Sequence, residues 1–419
     1  MNQNKLKIFN DPIYGFINMP TPLVFDIVEH PYFQRLRRIS QMGLSNLVFP
    51  GANHTRFHHA LGAMHLMQKA VEVLRFKGIE ISDKEAEALY IAILLHDIGH
   101  GPFSHTLENA ILKNIHHEEV SLMIMELLNK KFEGQLDIAI QVFTNKYERP
   151  FMYQLISSQL DMDRLDYLKR DSFYSGVAEG NINSERLIQM LNVHDNQLVI
   201  EEKGLYSVEK FLMARRLMYW QAYLHKTSLV AELMLENLLK RARFLLQKGE
   251  TIDCSQALRF FMNQNVSIDT FDEKALNMFL SLDDVDIMSA VKHWQHHDDF
   301  VLSYTSNLII NRRLFKIEIS HDKMDKSVLD QQKKYIKGKF DLTEEELKYF
   351  FLKGKIKNLT YNKENSPINI LMKNGQIVDL ILLSEQMKYS QFSKPTIKYF
   401  YAFPEIDGVI SDEVEVMPK

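Results

Sequence analysis

Apolar positions recur at helical spacing through roughly the first three quarters of the chain, and the texture changes only after about Asn311. Across residues 22–95 the period is carried by Leu23, Phe25, Ile27 and Val28, then by Leu61, Met64, Leu66, Ala70, Val71 and Val73. Residues 7–15 precede them and read as a short extended stretch with a turn at Asp11-Pro12 and Gly15. A tight loop, Gly99-His100-Gly101-Pro102, interrupts the pattern, which resumes over 107–111, 120–128, 138–143 and 155–158. Residues 176–184 form a Gly-rich polar loop and 197–200 a short strand. Residues 208–246 carry the longest helical pattern, with a break expected near Thr227-Ser228, and 269–308 add a further helical layer. Beyond them, strands are expected at 314–319, 357–361, 368–372, 377–383 and 397–403, with helices at 324–335 and 344–351. The acidic stretch 405–415 reads as a loose tail. The predicted fold is mainly α: a large helical domain over 1–310 and a smaller C-terminal α+β lobe over 311–419, suited to regulation or oligomerisation.

Composition narrows the function classes. With 46% hydrophobic and 25% charged residues, the chain has the make-up of an ordinary soluble protein. A net charge of -4 provides no global field for nucleic acid or an anionic membrane, so phosphate chemistry must rest on locally placed cations. One cysteine, Cys254, excludes a disulfide framework and a thiolate metal cluster. The first residues lack the apolar core of a signal peptide, and no apolar run approaches the roughly 18 residues of a membrane span. A cytoplasmic location is expected.

Nine of the sixteen histidines fall between His54 and His117, a clustering that a helical core does not require. His54, His58, His65 and His116 are expected to be ordinary hydrogen-bonded residues. His96-Asp97 is different, because two metal-binding side chains close the apolar helical run 86–95. With His59 upstream and Asp163 downstream, two imidazoles and two carboxylates suit a divalent metal of the first transition row and leave positions for water and substrate. A metal-dependent hydrolase is the implied class. His105 stands on the loop after the pair, and Glu108 follows by three residues, where a carboxylate can polarise an imidazole.

These residues resemble the signature of the HD superfamily of metal-dependent phosphohydrolases. The strings Asp11-Pro12-Ile13-Tyr14-Gly15, Phe33-Gln34-Arg35-Leu36-Arg37, Phe49-Pro50-Gly51-Ala52, Arg56-Phe57-His58-His59, His100-Gly101-Pro102-Phe103-Ser104-His105 and Asp163-Arg164-Leu165-Asp166-Tyr167 resemble one branch of it. That branch is the deoxynucleoside triphosphate triphosphohydrolases, including mammalian proteins with SAM and HD domains and their bacterial relatives. The resemblance runs with gaps over about 7–316.

It implies that His59, His96, Asp97 and Asp163 ligate a divalent ion, with Fe, Mn, Mg, Ni, Co or Zn all admissible. Water would attack the α-phosphorus, releasing deoxynucleoside and triphosphate. His105 with Glu108 would move the proton, with His117 a second candidate near the phosphates and His100 beside the α-phosphate. Arg56, Arg164 and Arg215 match phosphate-clamping positions, Arg164 replacing a lysine, and Lys226 follows in another family-like string. Gln41 and Asp171 match partners of the sugar 3′-hydroxyl; Tyr167 and Tyr223 match the aromatic positions that exclude a 2′-hydroxyl. Met42 replaces a leucine beside the sugar, and Tyr219 stands where the mammalian proteins have histidine. Lys7, Asn10, Gln34, Arg37, Arg312 and Lys316 match an allosteric nucleotide site between subunits, with Glu29 in place of an aspartate. Arg312 and Lys316, spaced i, i+4, are expected on one face of a strand or helix.

The expected partners are a nucleotide substrate and further copies of the chain, as dimer or tetramer, with neither membrane nor nucleic acid. Two other functions are open. One is an HD phosphohydrolase acting on nucleotide monophosphates or cyclic nucleotides. The other is a non-catalytic nucleotide sensor or single-stranded nucleic-acid binder.

Overall fold

The computed structural model describes residues 7–103, 110, 112, 115–264, 266–358, 361–362, 366–384 and 395–405. It opens on an antiparallel hairpin, β1 (Ile8–Asp11) and β2 (Gly15–Asn18). Asp11 makes the turn, its Oδ1 accepting from the backbone N–H groups of Ile13 and Tyr14. Thr21 then caps α1 (Pro22–Glu29), where proline tolerates the first helical position because its missing N–H would be unpaired there. A short α2 (Pro31–Gln34) follows.

Two long helices form the centre. α3 (Arg56–Phe76) is buried on most sides, and α4 (Asp83–Leu95) starts from a reciprocal capping box between Ser82 and Glu85. Around them lie α5 (His117–Lys131), α6 (Asp137–Phe143), α7 (Pro150–Ile156), α8 (Met162–Ser175) and α9 (Ser184–Gln189). α8 begins at an Asp161 cap and stops at Gly176, whose φ of 74° lies in the left-handed region. Gly62 lets α3 and α8 approach closely: a Cβ there would lie 2.1 Å from Asp166 Oδ1 and 2.2 Å from Arg170 Nη2.

Strands β3 (Leu191–His194) and β4 (Gln197–Glu201) precede α10 (Leu205–Met218), a π-helical turn over Tyr219–Tyr223, and α11 (Lys226–Gln247). The long helical pattern therefore breaks at Leu224–His225, just before Thr227-Ser228, with the His225 ring capping the new helix. α12 (Gln256–Asn263), α13 (Glu273–Leu280), α14 (Asp284–Trp294) and α15 (Phe300–Ile310) complete the helical body.

The last hundred residues mix both element types, as the texture change predicts. β5 (Lys316–Ser320), α16 (Lys326–Phe340), α17 (Glu344–Phe350), β6 (Leu352–Asn358), β7 (Asn369–Leu371), β8 (Ile377–Asp379), α18 (Leu380–Leu383) and β9 (Thr396–Phe403) follow in order. One sheet has the order β5-β9-β6; β7 and β8 instead extend the earlier hairpin into the order β3-β4-β7-β8. Two expectations are corrected. The strand expected at 357–361 lies earlier, at Leu352–Asn358, and the one at 377–383 ends at Asp379, whose carboxylate caps a helical turn. Side-chain hydrogen bonding at Asp379 overrides the apolar run after it.

The acidic stretch from 406, and most of the pattern at 107–111, lie outside the described residues. No helix among the described residues is long and apolar enough to cross a membrane. The fold class is mainly α with a C-terminal α+β region.

Candidate metal centre

His59 lies in the first turn of α3, His96 caps the end of α4, Asp97 follows it, and Asp163 starts α8. Packing of these three helices brings the four side chains together. His59 Nε2 lies 3.1 Å from Asp163 Oδ1 and 3.7 Å from Asp97 Oδ2. His96 Nε2 lies 3.3 Å from Asp97 Oδ1 and 3.5 Å from Asp163 Oδ1. Both Nε2 atoms are buried without a hydrogen-bond partner among the described residues. Such atoms cost free energy unless something occupies them, and a divalent cation suits two imidazole nitrogens and two carboxylates. The cluster therefore fits a metal ion.

The opposite ring nitrogens are already committed. His96 Nδ1 donates to the Ile93 carbonyl at 2.6 Å, and His59 Nδ1 pairs with Asp166 Oδ2 at 2.8 Å. Both rings thus present Nε2 inward, the arrangement that fixes a ligating tautomer. Asp163 has 27% side-chain exposure against 11% or less for the other three, so the cluster opens on its side.

The charges reinforce one another. Burial opposes charge on Asp97, but His96 and Arg56 outweigh it and hold the carboxyl well below the usual range. Arg56 donates directly to Asp97 Oδ2. Burial likewise opposes protonation of His59, yet Asp163 and Asp166 push its pKa up to about 10. His100, 3.3 Å from Asp97, goes the other way: burial and the Arg56 charge bring it to about 3, so it is neutral at ordinary pH. His117 stacks on His100 with ring centroids 3.8 Å apart, and Asp97, His100 and His117 form a second group able to hold a cation.

The remaining predicted residues fall in two places. Asp163, Tyr167 and Asp171 follow each other at i, i+4 and i+8 on α8, each step advancing about 6 Å along one face. Asp171 is clamped, with His54 Nε2 at 2.7 Å on Oδ1 and the Tyr223 hydroxyl donating to Oδ2 at 2.8 Å. Tyr223 meets Tyr167 edge-on at 6.1 Å and Tyr219 at 5.3 Å. Gln41 Oε1 and Arg215 Nη1 are buried without a hydrogen-bond partner among the described residues. Arg164 donates to the Ser158 carbonyl at 2.6 Å and reaches the Tyr167 hydroxyl at 3.5 Å.

Gln34 and Arg37 pair with each other, and Lys7 lies over the Phe25 ring. Asn10 is exposed on β1. Lys316 lies 3.8 Å from Glu318, and Arg312 donates to the Leu47 carbonyl. The one-face expectation for Arg312 and Lys316 is corrected: Arg312 sits in a left-handed turn with φ 55°, so no single element carries both. His105 and Glu108 lie outside the described residues.

Several contributors escape the sequence reading. Ser121 accepts from Gly99 N and donates to the His96 carbonyl, pinning the loop after the ligand pair. Gly99 permits this, since a Cβ there would lie 2.2 Å from the His117 carbonyl. Asp166 and Arg170 back His59; only their i+3 and i+7 spacing from Asp163 signals a row facing α3. His58, His65 and His116 take ordinary roles, at the α3 start, against Tyr14 and at the α5 cap.

Comparison with known proteins agrees with this geometry. Residues 56–171 match the HD domain family, and 182–261 match the HD associated region. The structure is similar to that of a phosphohydrolase from Bacteroides thetaiotaomicron, with TM-score 0.92 and 49% identity, covering 96% of this chain and 100% of that one. The uncharacterized protein YwfO of Bacillus subtilis is 32% identical over 392 residues, 89% of this chain and 87% of its own. A deoxynucleoside triphosphate triphosphohydrolase SAMHD1 homolog of Dictyostelium discoideum is 30% identical over 266 residues. That match takes in 59% of this chain and 51% of that protein, so the chain spans about half of its length.

Proposed function

The chain belongs to the HD-domain phosphohydrolases, and on that premise we propose that it hydrolyses deoxynucleoside triphosphates to deoxynucleoside and triphosphate. The observation that carries this reading is the row on α8. Asp163 of the metal cluster, an aromatic ring and a clamped carboxylate stand in line, which suits a phosphate, a sugar face and a sugar hydroxyl in that order.

In this reading His59, His96, Asp97 and Asp163 hold a divalent ion. When bound, such an ion supplies Lewis acidity that withdraws charge from a phosphoryl oxygen. Arg56 neutralises Asp97 and, with Arg164 and Arg215, offers guanidinium forks to phosphate oxygens. Neutral His100 approaches the α-phosphate without adding charge, and His117 holds its ring by stacking. Asp171, oriented by His54 and Tyr223, accepts the 3′-hydroxyl, with Gln41 beside it. The Tyr167–Tyr223 pair packs against the sugar and leaves little room for a 2′-hydroxyl. His105 with Glu108 is the pair assigned the proton transfer, at the attacking water or at the departing sugar oxygen.

The chain acts as a homo-oligomer in the same reading, with Lys7, Asn10, Gln34, Arg37, Arg312 and Lys316 contacting a regulatory nucleotide. Product analysis tests the activity: each dNTP, singly and in mixtures, is incubated with the protein and Mn²⁺ or Mg²⁺. Triphosphate and deoxynucleoside are expected. Release of orthophosphate, or turnover of monophosphates or cyclic nucleotides alone, overturns it.

A further inference from the structure

Behind His59 the hydrogen bonding continues to the first hairpin. Asp166 is fully buried, and its two oxygens accept from Arg170, Nε at 3.0 Å and Nη2 at 3.1 Å. Arg170 is fully buried too, and its Nη1 donates to Asp11 Oδ2 at 2.7 Å. Asp11 ends β1 and uses its other oxygen for the turn. Tyr14 covers the pair, with the Arg170 guanidinium 5.6 Å from its ring centroid. Three segments distant in sequence thus form one line of alternating charge: Asp11, Arg170, Asp166 and then His59.

We propose that Asp11 is a positioning residue of the metal centre, setting the orientation and the donor strength of His59 through Arg170 and Asp166. The inference rests on His59 being a metal ligand. An arginine that faces one carboxylate draws that carboxylate's charge onto itself. Asp11 takes a share of the Arg170 charge, which leaves Asp166 a stronger acceptor for the His59 N–H and makes Nε2 a better donor. Burial keeps water from screening any member of the line. Asp11 lies outside residues 56–171, so the centre depends on a hairpin that the HD domain itself does not contain.

The test titrates the metal-stripped full chain with Mn²⁺ by calorimetry, with circular dichroism of the metal-free form alongside. Asp11→Asn keeps an oxygen for the turn and removes the charge, and is expected to weaken Mn²⁺ binding by roughly tenfold or more. Asp11→Asn/Arg170→Gln removes both charges, leaves Asp166 facing His59 with no competing cation, and is expected to bind Mn²⁺ close to the wild-type affinity. Were the salt bridge only an anchor for the hairpin, the double variant would bind no better than the single one. Unchanged affinity in Asp11→Asn, or a double variant no tighter than the single, overturns the inference. If Asp11→Asn does not fold, the double variant decides alone: near-wild-type affinity supports the relay, and a loss of tenfold or more sinks it. A wild-type chain that takes up no Mn²⁺, or a His59→Ala variant that binds it equally well, overturns the metal reading beneath it instead.

Discussion

Gly62→Ala sets local preference and tertiary packing against each other with opposite signs. In an isolated helix, alanine is better than glycine by about 1 kcal/mol. Here the added Cβ would lie 2.1 Å from Asp166 Oδ1 and 2.2 Å from Arg170 Nη2, where ordinary contact begins at 3.4 Å. Both atoms must move by more than 1 Å, and they are the two ends of a buried hydrogen bond. Breaking a buried ion pair costs about 3–5 kcal/mol, so the net loss is about 2–4 kcal/mol after the helix gain. Thermal unfolding of the metal-free chain should show Tm lowered by roughly 2–5 °C, the unfolding entropy of so long a chain being large. Gly338→Ala is the matched control. It lies in the last turn of α16, exposed, and a Cβ there meets nothing within 4 Å, so it should stabilise by roughly 0.5–1 kcal/mol. A Gly62→Ala protein as stable as wild type would refute the close-approach reasoning.

Asp163→Ala, and His96→Ala/Asp97→Ala together, should abolish metal uptake and turnover, checked by elemental analysis of the dialysed protein beside product assays. His105→Ala should keep its metal and lose most of the rate; normal turnover would remove it from the proton-transfer role. Metal affinity should rise with pH, by roughly tenfold per unit while one proton is displaced, because metal-free His59 stays protonated up to about pH 10. The same group stabilises the metal-free chain fully below its unfolded value near 6.5 and loses that contribution as pH climbs toward 10, so metal-free Tm should fall over that range. A pH-independent Mn²⁺ affinity would contradict both. Tyr223→Phe removes the hydroxyl that donates to Asp171, a hydrogen bond to a charged group worth about 1.5–3 kcal/mol, and kcat/KM for dNTP should drop at least roughly tenfold. An unchanged value would mean that Asp171 needs no such clamp.

Local spacing determined much of this protein in advance. Most of the helical period before Asn311, the mixed texture after it, and the placement of His96-Asp97 at the end of an apolar helix are properties of short windows, whereas α8, α9 and α12 carried no such signal. The α8 row of Asp163, Tyr167 and Asp171 was not read from spacing: the apolar pattern placed no helix over 162–175, whose mean hydropathy is low, and Tyr167 and Asp171 entered only through the family resemblance. Tertiary structure decided what the helix faces meet. Asp11 and Arg170 are 159 residues apart, and no local pattern marks them as partners. Asp284 offers another case, its oxygens receiving Ser40 N and Phe103 N from two distant loops. The strand expected at 377–383 failed because Asp379 found a better use as a cap, and Arg312 left its expected face because the chain turns there through a left-handed residue. Periodicity fixes which side of an element is apolar; only packing, through close approaches such as those at Gly62 and Gly99, determines which polar groups end up buried together and must therefore pair.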